Sequence, residues 1–458
     1  MAGIGFELRK LLEKDNYLGL CQAYAYAGII SSGPWVLSII GILLVGFFSL
    51  GVVYPQMVIV QFQVSVTYLI LSSLILTGFI QLGFTRFIAD TLFRKQDDLV
   101  VPNFNGLLLL VTGVGGLCGI LALFFLFSGM SMSYRMLMLS GFVILCAIWV
   151  ATIFLSGMKQ YKQIVALFGI GYAVTVAGAL LLRPLGMEGL LLGFVFGHLV
   201  LLGGMVGLIL RTFPLQGEII AFDFLRPGAM YLTLIWSGFL YNLAVWTDKL
   251  MFWFNPDTSQ HIIGPLRASL LYDLPIFLAY LAIIPGMAVF LVRIETDFVE
   301  YYEKFYDSVR GGGGSLDQIE NLRDNMLFTV RQGLFEIFKI QAITVILIFV
   351  LGEKLLVWIG ISTLYLPLLY VDAVAVGLQV VLLGILNIFF YLDKRVIVTW
   401  LCLLFLVANA GLTWLSLQLG VSFYGYGFAV ALLLTVLTGM HLLTRKLDVL
   451  EYETFMLQ

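Results

Sequence analysis

Residues 104–127 read FNGLLLLVTGVGGLCGILALFFLF. The stretch carries no charged side chain and is apolar on every face. A helix needs about 20 mostly apolar residues to cross the hydrocarbon of a bilayer. A helix apolar all round belongs in a large core or in lipid. Working outward, similar runs recur at about 24–50, 62–85, 136–157, 164–183, 189–210, 229–252, 267–291, 333–351, 364–390, 397–419 and 424–443, making twelve predicted spans. Backbone amides in hydrocarbon must be satisfied within their own segment, so each run is expected to be helical. Composition agrees. Of 458 residues, 61% are hydrophobic and 11% charged, against about 25% charged in soluble domains. Mean hydropathy is +1.03, so lipid is the solvent. The expected fold class is all-α, a polytopic membrane protein of about twelve transmembrane helices.

The net charge of −2 offers nucleic acid nothing to bind. The N-terminal residues lack a short apolar core ending at a small-residue cleavage site, so no cleavable signal peptide is expected. Cys21, Cys118, Cys146 and Cys402 lie in apolar runs without a Cys-x-x-Cys pair and read as small buried hydrophobes. His198, His261 and His441 are scattered, so neither a metal nor a cofactor is expected.

Lys and Arg set orientation. With the N-terminus inside, Arg135, Arg183, Arg267 and Lys354 fall on outside segments. Lys249 and Lys339 fall in or near spans, and the rest of the 25 basic residues lie inside. Both termini are therefore expected in the cytoplasm. A polar linker with Pro214, Gly217 and Pro227 divides the spans six and six. The domain expectation is an N-lobe at 16–212, a linker at 213–228 and a C-lobe at 229–458, two related bundles about a cavity.

Two further elements are predicted. Residues 1–15 form an amphipathic helix with Ile4, Leu8, Leu11 and Leu12 on one face, suited to lying in the membrane interface. The long loop 294–332 is a helical hairpin broken at Gly311–Gly314. Its first helix carries an apolar stripe of Phe298, Tyr301, Tyr302 and Phe305, which either docks a partner or packs on the protein's own ends. Ser315 and Gln318 have the spacing to cap the second helix.

Charges at lipid depth are costly and usually face a bundle interior. The candidates are Asp248, Lys249, Asp273, Glu336, Lys339 and Asp372. Asp248 and Lys249 are adjacent, hence about 100° apart around a helix. Each is expected to seek a partner on another helix, with Asp273 or Asp372 the candidates for Lys249. Such pairs either fix register or form a substrate- or proton-responsive site. Glu336 and Lys339 are expected to snorkel to the interface. Tyr24, Ser31 and Ser32 offer hydroxyls in the first span, and Trp236, Tyr241 and Trp246 offer aromatic faces suited to sugar rings. Gly33-Pro34 and Pro285-Gly286 are predicted hinges, because proline removes a helix hydrogen bond.

No Gly-Lys-Ser/Thr phosphate loop or His-Glu-x-x-His exists, and the loops are too short for a catalytic domain, so an enzyme is not expected. A carrier fits better.

The opening MAGIGFELRKLL, followed by Ser31-Ser32-Gly33-Pro34-Trp35 in the first span, resembles the PelG family of Pel exopolysaccharide transporters. Length, spans and the loop after the eighth span also resemble it. The resemblance implies membership of the multidrug/oligosaccharidyl-lipid/polysaccharide exporter superfamily, with two six-helix lobes alternating between inward- and outward-open states. It implies export, across the bacterial inner membrane, of a biofilm polymer rich in N-acetylgalactosamine and galactosamine. The implied partners are a cytoplasmic glycosyltransferase and membrane scaffold subunits responsive to cyclic di-GMP. A competing reading is an ion-coupled organic-cation antiporter with an acidic pocket of Asp248, Asp273 and Asp372. A third makes the chain a passive scaffold for a synthase.

Overall fold

The computed structural model describes residues 17–49, 52–53, 55–158, 160–213, 218–310 and 314–456. The helix expected at 1–15 lies outside the described residues, as do Pro214, Gly217 and residues 311–313. The helices are α1 (Tyr17–Ser49), α2 (Met57–Phe93), α3 (Val100–Leu126), α4 (Met132–Gly157), α5 (Tyr161–Leu182), α6 (Gly186–Thr212) and α7 (Leu232–Phe254). They continue with α8 (Leu270–Ala279), α9 (Ile283–Val292), α10 (Val299–Arg310), α11 (Leu316–Ile359), α12 (Leu366–Tyr391), α13 (Arg395–Leu419), α14 (Tyr426–Asp448) and α15 (Leu450–Met456). A short antiparallel hairpin, β1 (Gln260–Ile263) with β2 (Leu266–Ala268), precedes α8.

Each predicted span falls on helix. Among the described residues, nine segments are long and apolar enough to cross a bilayer, or ten when the two arms of α1 about Pro34 count as one. One of the nine, Lys162–Thr212, contains both α5 and α6. They turn at Gly186, whose φ of +67° favours glycine. The chain is an all-α, multi-pass membrane protein.

Three departures from the sequence reading have clear causes. The span expected at 267–291 is two helices, α8 and α9, parted by a 3-10 turn at Tyr280–Ala282. Pro285 lacks an N–H, and its ring crowds the carbonyl four residues back, so the α ladder breaks there. The hairpin β1–β2 was not foreseen, although Gly264, with φ +53°, marks its turn. The second loop helix and the ninth span merge into the 44-residue α11. Its start follows the predicted cap, with the Gln318 N–H donating to Ser315 Oγ at 3.3 Å.

Contacts divide the chain into two compact units. The first comprises residues 33–270. Its closest helix pair is α5–α6, where small residues let backbones meet. A Cβ on Gly193 would lie 2.2 Å from the Ala179 nitrogen. Without a hydrophobic drive between helices in lipid, such close approach supplies the dispersion that holds them. An aromatic cluster of Phe84, Phe104, Phe154 and Phe224 packs where α2, α3 and α4 meet the segment after α6, with Phe104–Phe154 centroids 5.0 Å apart. Part of the predicted linker is fixed here. Asn103 Nδ2 donates to Asp223 Oδ2 and the Asp223 N–H donates to Asn103 Oδ1, at 2.9 and 2.8 Å.

The second unit comprises residues 1–32 and 271–458. Gly28 of α1 packs against Ile284 and Ala288 of α9. Helices α9, α11, α12 and α14 form its core, with Ile337, Val380, Ile385 and Ala431 fully buried. The predicted apolar stripe of α10 packs here as well. Phe298 and Phe305 are 0% exposed, and Phe298 and Tyr302 lie against Tyr391 of α12, both at 5.6 Å between centroids. This corrects the docking reading of Phe298 and Phe305. Rings fully buried inside their own unit have no surface left for another protein. Tyr301 and Tyr302 are half-buried.

Candidate functional site

In the first unit, α7 places Asp248 and Lys249 at 0% and 1% exposure. Lys249 Nζ lies 3.0 Å from Asp248 Oδ2 and 3.3 Å from Oδ1. It also donates to the Val245 carbonyl at 3.0 Å and sits 5.9 Å from the Trp246 ring centre. Each charge was expected to seek a partner on another helix; the pair also engages within its own helix, and both side chains hold further contacts. The four-carbon lysine stem is flexible enough to curl back on its neighbour despite the angular offset. Charge, backbone carbonyl and aromatic face together offset the desolvation of the ammonium. Trp246 continues to Trp253 at 6.3 Å, and Trp253 stacks on Tyr68 of α2 at 4.7 Å. The Tyr68 hydroxyl donates to the Arg267 carbonyl at 2.8 Å, which ties the β-hairpin to α2. The buried pair thus joins a wall of aromatic rings that ends at the hairpin. Trp236 does not join it. It is 49% exposed and meets Phe79 edge-on at 6.0 Å. Tyr241 is half-buried.

The two serine hydroxyls of the first span are spent on their own helix. Ser31 Oγ donates to the Ala27 carbonyl at 2.7 Å, and Ser32 Oγ to the Gly28 carbonyl at 2.6 Å. Such back-bonding satisfies serine inside an apolar helix. Pro34 lies inside α1, and the boundary between the two units falls between Ser32 and Gly33.

The second unit holds the remaining candidates. Asp273 stands in the first turn of α8, half-buried, where the positive end of the helix favours a carboxylate. Asp372 is fully buried on α12. Its Oδ1 would lie 3.1 Å from a Cβ on Gly425, the N-cap residue of α14, whose φ is +84°. A glycine therefore gives the carboxylate room beside a helix N-terminus. At the second predicted hinge, a Cβ on Gly286 would lie 2.0 Å from Gln341 Nε2. Gln341, buried on α11, donates instead to the Ala282 carbonyl at 3.3 Å, in the break between α8 and α9. The break is thus stabilised by a side chain from a neighbouring helix, the usual cost-saving where an α ladder is interrupted in lipid.

Sequence reasoning missed a polar cluster that follows α9. Residues Arg293–Phe298 form a π turn, a widened geometry common at functional positions. Arg293 Nε and Nη2 donate to Glu336 Oε2 and Oε1 at 2.6 and 3.1 Å, and Nη1 to Asp297 at 2.8 Å. Tyr24 of α1 lies beside this guanidinium. Glu295 accepts from Asn387 Nδ2 and the Tyr391 hydroxyl at 2.6 and 2.8 Å. Glu336 is therefore a clamped ion-pair partner, which corrects its snorkelling assignment, while Lys339 is exposed. The signal in sequence was the charge run Arg293-Ile-Glu-Thr-Asp297 directly after an apolar span.

Comparisons with known proteins agree with this architecture. Residues 1–455 match the family model of PelG, described as "Putative exopolysaccharide Exporter (EPS-E)". No curated protein matches the chain. The structure is similar to the outward-facing conformation of a multidrug resistance MATE family transporter of the MOP superfamily, at a TM-score of 0.67 and 13% identity over 99% of each chain. It is similar to a MOP superfamily transporter from Pyrococcus furiosus whose binding pocket has reversed polarity, at 0.63 and 13% over 93% and 96% of the two chains. An inward-facing MATE family transporter matches at 0.61 and 12%, over 92% of this chain and 99% of its own. At such identities the likeness is one of fold. Family and fold are those of transporters, and with residues 1–455 matched the chain belongs to the PelG family.

Proposed function

We propose that the protein exports the Pel exopolysaccharide, rich in N-acetylgalactosamine and galactosamine, across the bacterial inner membrane. The observation that carries this reading is the family match over residues 1–455. Transport proceeds by alternating access between two lobes, 16–212 and 229–458, with both termini in the cytoplasm. That step draws support from fold neighbours that occur in outward- and inward-facing forms. The chain works within a biofilm synthesis complex, beside a cytoplasmic glycosyltransferase and scaffold subunits responsive to cyclic di-GMP.

The proposed path residues are Asp248, Lys249, Asp273, Asp372, Trp236, Tyr241, Trp246, Tyr24, Ser31 and Ser32. Within this set the Asp248–Lys249 pair has the strongest physical case. Its two charges cancel, so the helix carries no net charge through lipid, and loss of either partner would leave the other uncompensated. A group so placed responds to local charge by a large change in free energy. Gly33, Pro34, Pro285 and Gly286 serve as hinges.

The test is reconstitution. Purified protein in vesicles, supplied with radiolabelled galactosaminoglycan oligomers and an imposed proton or sodium gradient, should move the oligomers across the membrane. Cells lacking the gene should lose surface polymer. Ion-coupled antiport of organic cations is the second reading, supported by the multidrug transporters among the fold neighbours. Cation efflux by the same vesicles, with the glycan left unmoved, would overturn polysaccharide export.

A further inference from the structure

The first unit contains a groove that the transport reading leaves unused. Its volume is about 730 Å³, and it runs between α2, α3 and α4 to the β-hairpin, with Leu76, Phe79, Ala122, Leu126 and Phe142 on its walls. Two hydroxyl residues line it, and both are already committed. The Tyr68 hydroxyl donates to the Arg267 carbonyl and Ser72 Oγ to the Tyr68 carbonyl, at 2.8 and 2.6 Å. The walls therefore offer almost nothing to a sugar hydroxyl, and a saccharide placed here would leave its own polar groups unpaired. Ala122 and Leu126 are exposed on the apolar second half of α3, so the groove opens where lipid is the solvent.

An arginine stands on the helical face that the groove residues of α4 occupy. Arg135 lies three, four and seven residues before Met138, Leu139 and Phe142, the groove residues of α4, and so shares their helical face. Its Nη2 donates to the Ser128 carbonyl beside Phe127, another wall residue. Its Nε has no hydrogen-bond partner among the described residues, and no carboxylate pairs with it there. The nearby Glu188 accepts from Ser131 Oγ at 2.6 Å. A half-buried guanidinium with one unspent donor, its Nε, thus stands one to two helical turns from the groove residues of α4.

We infer that this groove is a binding site for one anionic phospholipid, its acyl chain lying along α2–α4 and its phosphate on Arg135. The volume holds about two dozen groups of water's ~30 Å³, enough for one long acyl chain. A chain entering from the bilayer exchanges one apolar surrounding for another, so burial itself gains little. The arginine therefore supplies the selectivity, through a charge-assisted contact to phosphate. The groove meets the aromatic wall of the Asp248–Lys249 pair at Tyr68.

Native mass spectrometry of the detergent-solubilised full chain, titrated with dioleoylphosphatidylglycerol, tests this. Wild-type protein should retain one lipid. Arg135→Ala should weaken retention about tenfold, the scale of a hydrogen bond to a charged group. Dioleoylglycerol, which has the same chains and no phosphate, should bind wild type as weakly as the phospholipid binds that variant. Ala122→Trp and Leu126→Trp, both on exposed helix surface, should abolish retention by filling the trough. A phosphatidylglycerol with a photoreactive acyl chain should label wild type within 68–79, 118–127 and 138–142. Undiminished retention by both tryptophan variants, or labelling elsewhere, refutes the groove. Equal binding of both lipids refutes the role of Arg135.

Discussion

At the scale of single residues, Asp248 and Lys249 decide whether the buried charge on α7 is structural or functional. Truncating one partner leaves the other uncompensated, which typically costs about 3–5 kcal/mol, whereas replacing both with apolar residues of similar volume is often neutral. Asp248→Asn and Lys249→Met should each lower the melting temperature in detergent, and the double variant should recover most of the loss. If the pair drives transport, the double variant will be stable and inactive. A stable double variant that exports normally would reduce the pair to a register device. The same logic explains why sequence reasoning found these charges but did not foresee their contact with each other. Type and depth are legible from hydropathy, but a flexible lysine stem chooses its partner from local geometry that no spacing rule encodes.

Among elements, the helices were the most legible part of the chain, because each apolar run is long enough to span and lipid leaves its backbone no other choice. What stayed hidden were the joints. The Pro285 break extends back to Tyr280–Ala282, and Gln341, which steadies it, comes from another helix 59 residues away in sequence. The β-hairpin rests on Tyr68, 199 residues from its Arg267 partner. Pairings at such separations cannot be read from periodicity. The short C-terminal helix α15 was likewise absent from the sequence reading, and polar contacts hold it in place. Glu453 receives Lys394 and Lys446, each at 2.5 Å. Burial alone would raise the pKa of this carboxyl, but the two ammonium groups more than offset it and hold it below the usual carboxylate range. A depressed folded-state pKa contributes stability above the unfolded value of about 4.3, and that contribution is lost as pH falls through the folded value. Glu453→Gln should therefore melt below wild type near neutral pH, with the gap closing as pH falls below the unfolded carboxylate value. A gap constant over that range would mean that the carboxylate charge contributes nothing.

For the whole molecule, the unit boundaries carry the argument. One falls between Ser32 and Gly33 and the other between Leu270 and Leu271, after the β-hairpin. The first stands two residues before Pro34, where α1 lacks a backbone donor. A hinge concentrates its change in a few residues at the end of an element. Pro34→Ala restores the missing N–H and should stiffen α1. The folded variant should keep wild-type expression and melting temperature while its export rate falls several-fold. Wild-type export by this variant would remove the hinge role from Pro34.

Helix α11 has a mechanical consequence. Forty-four residues make a rod about 66 Å long, while the hydrocarbon layer takes up only about 30 Å of it. More than half of the rod therefore projects beyond the lipid, braced by Arg323 against Glu451. A tilt of roughly 5° at the membrane surface would swing the distant tip by about 3 Å. Rearrangements within the bilayer are thus magnified at that tip.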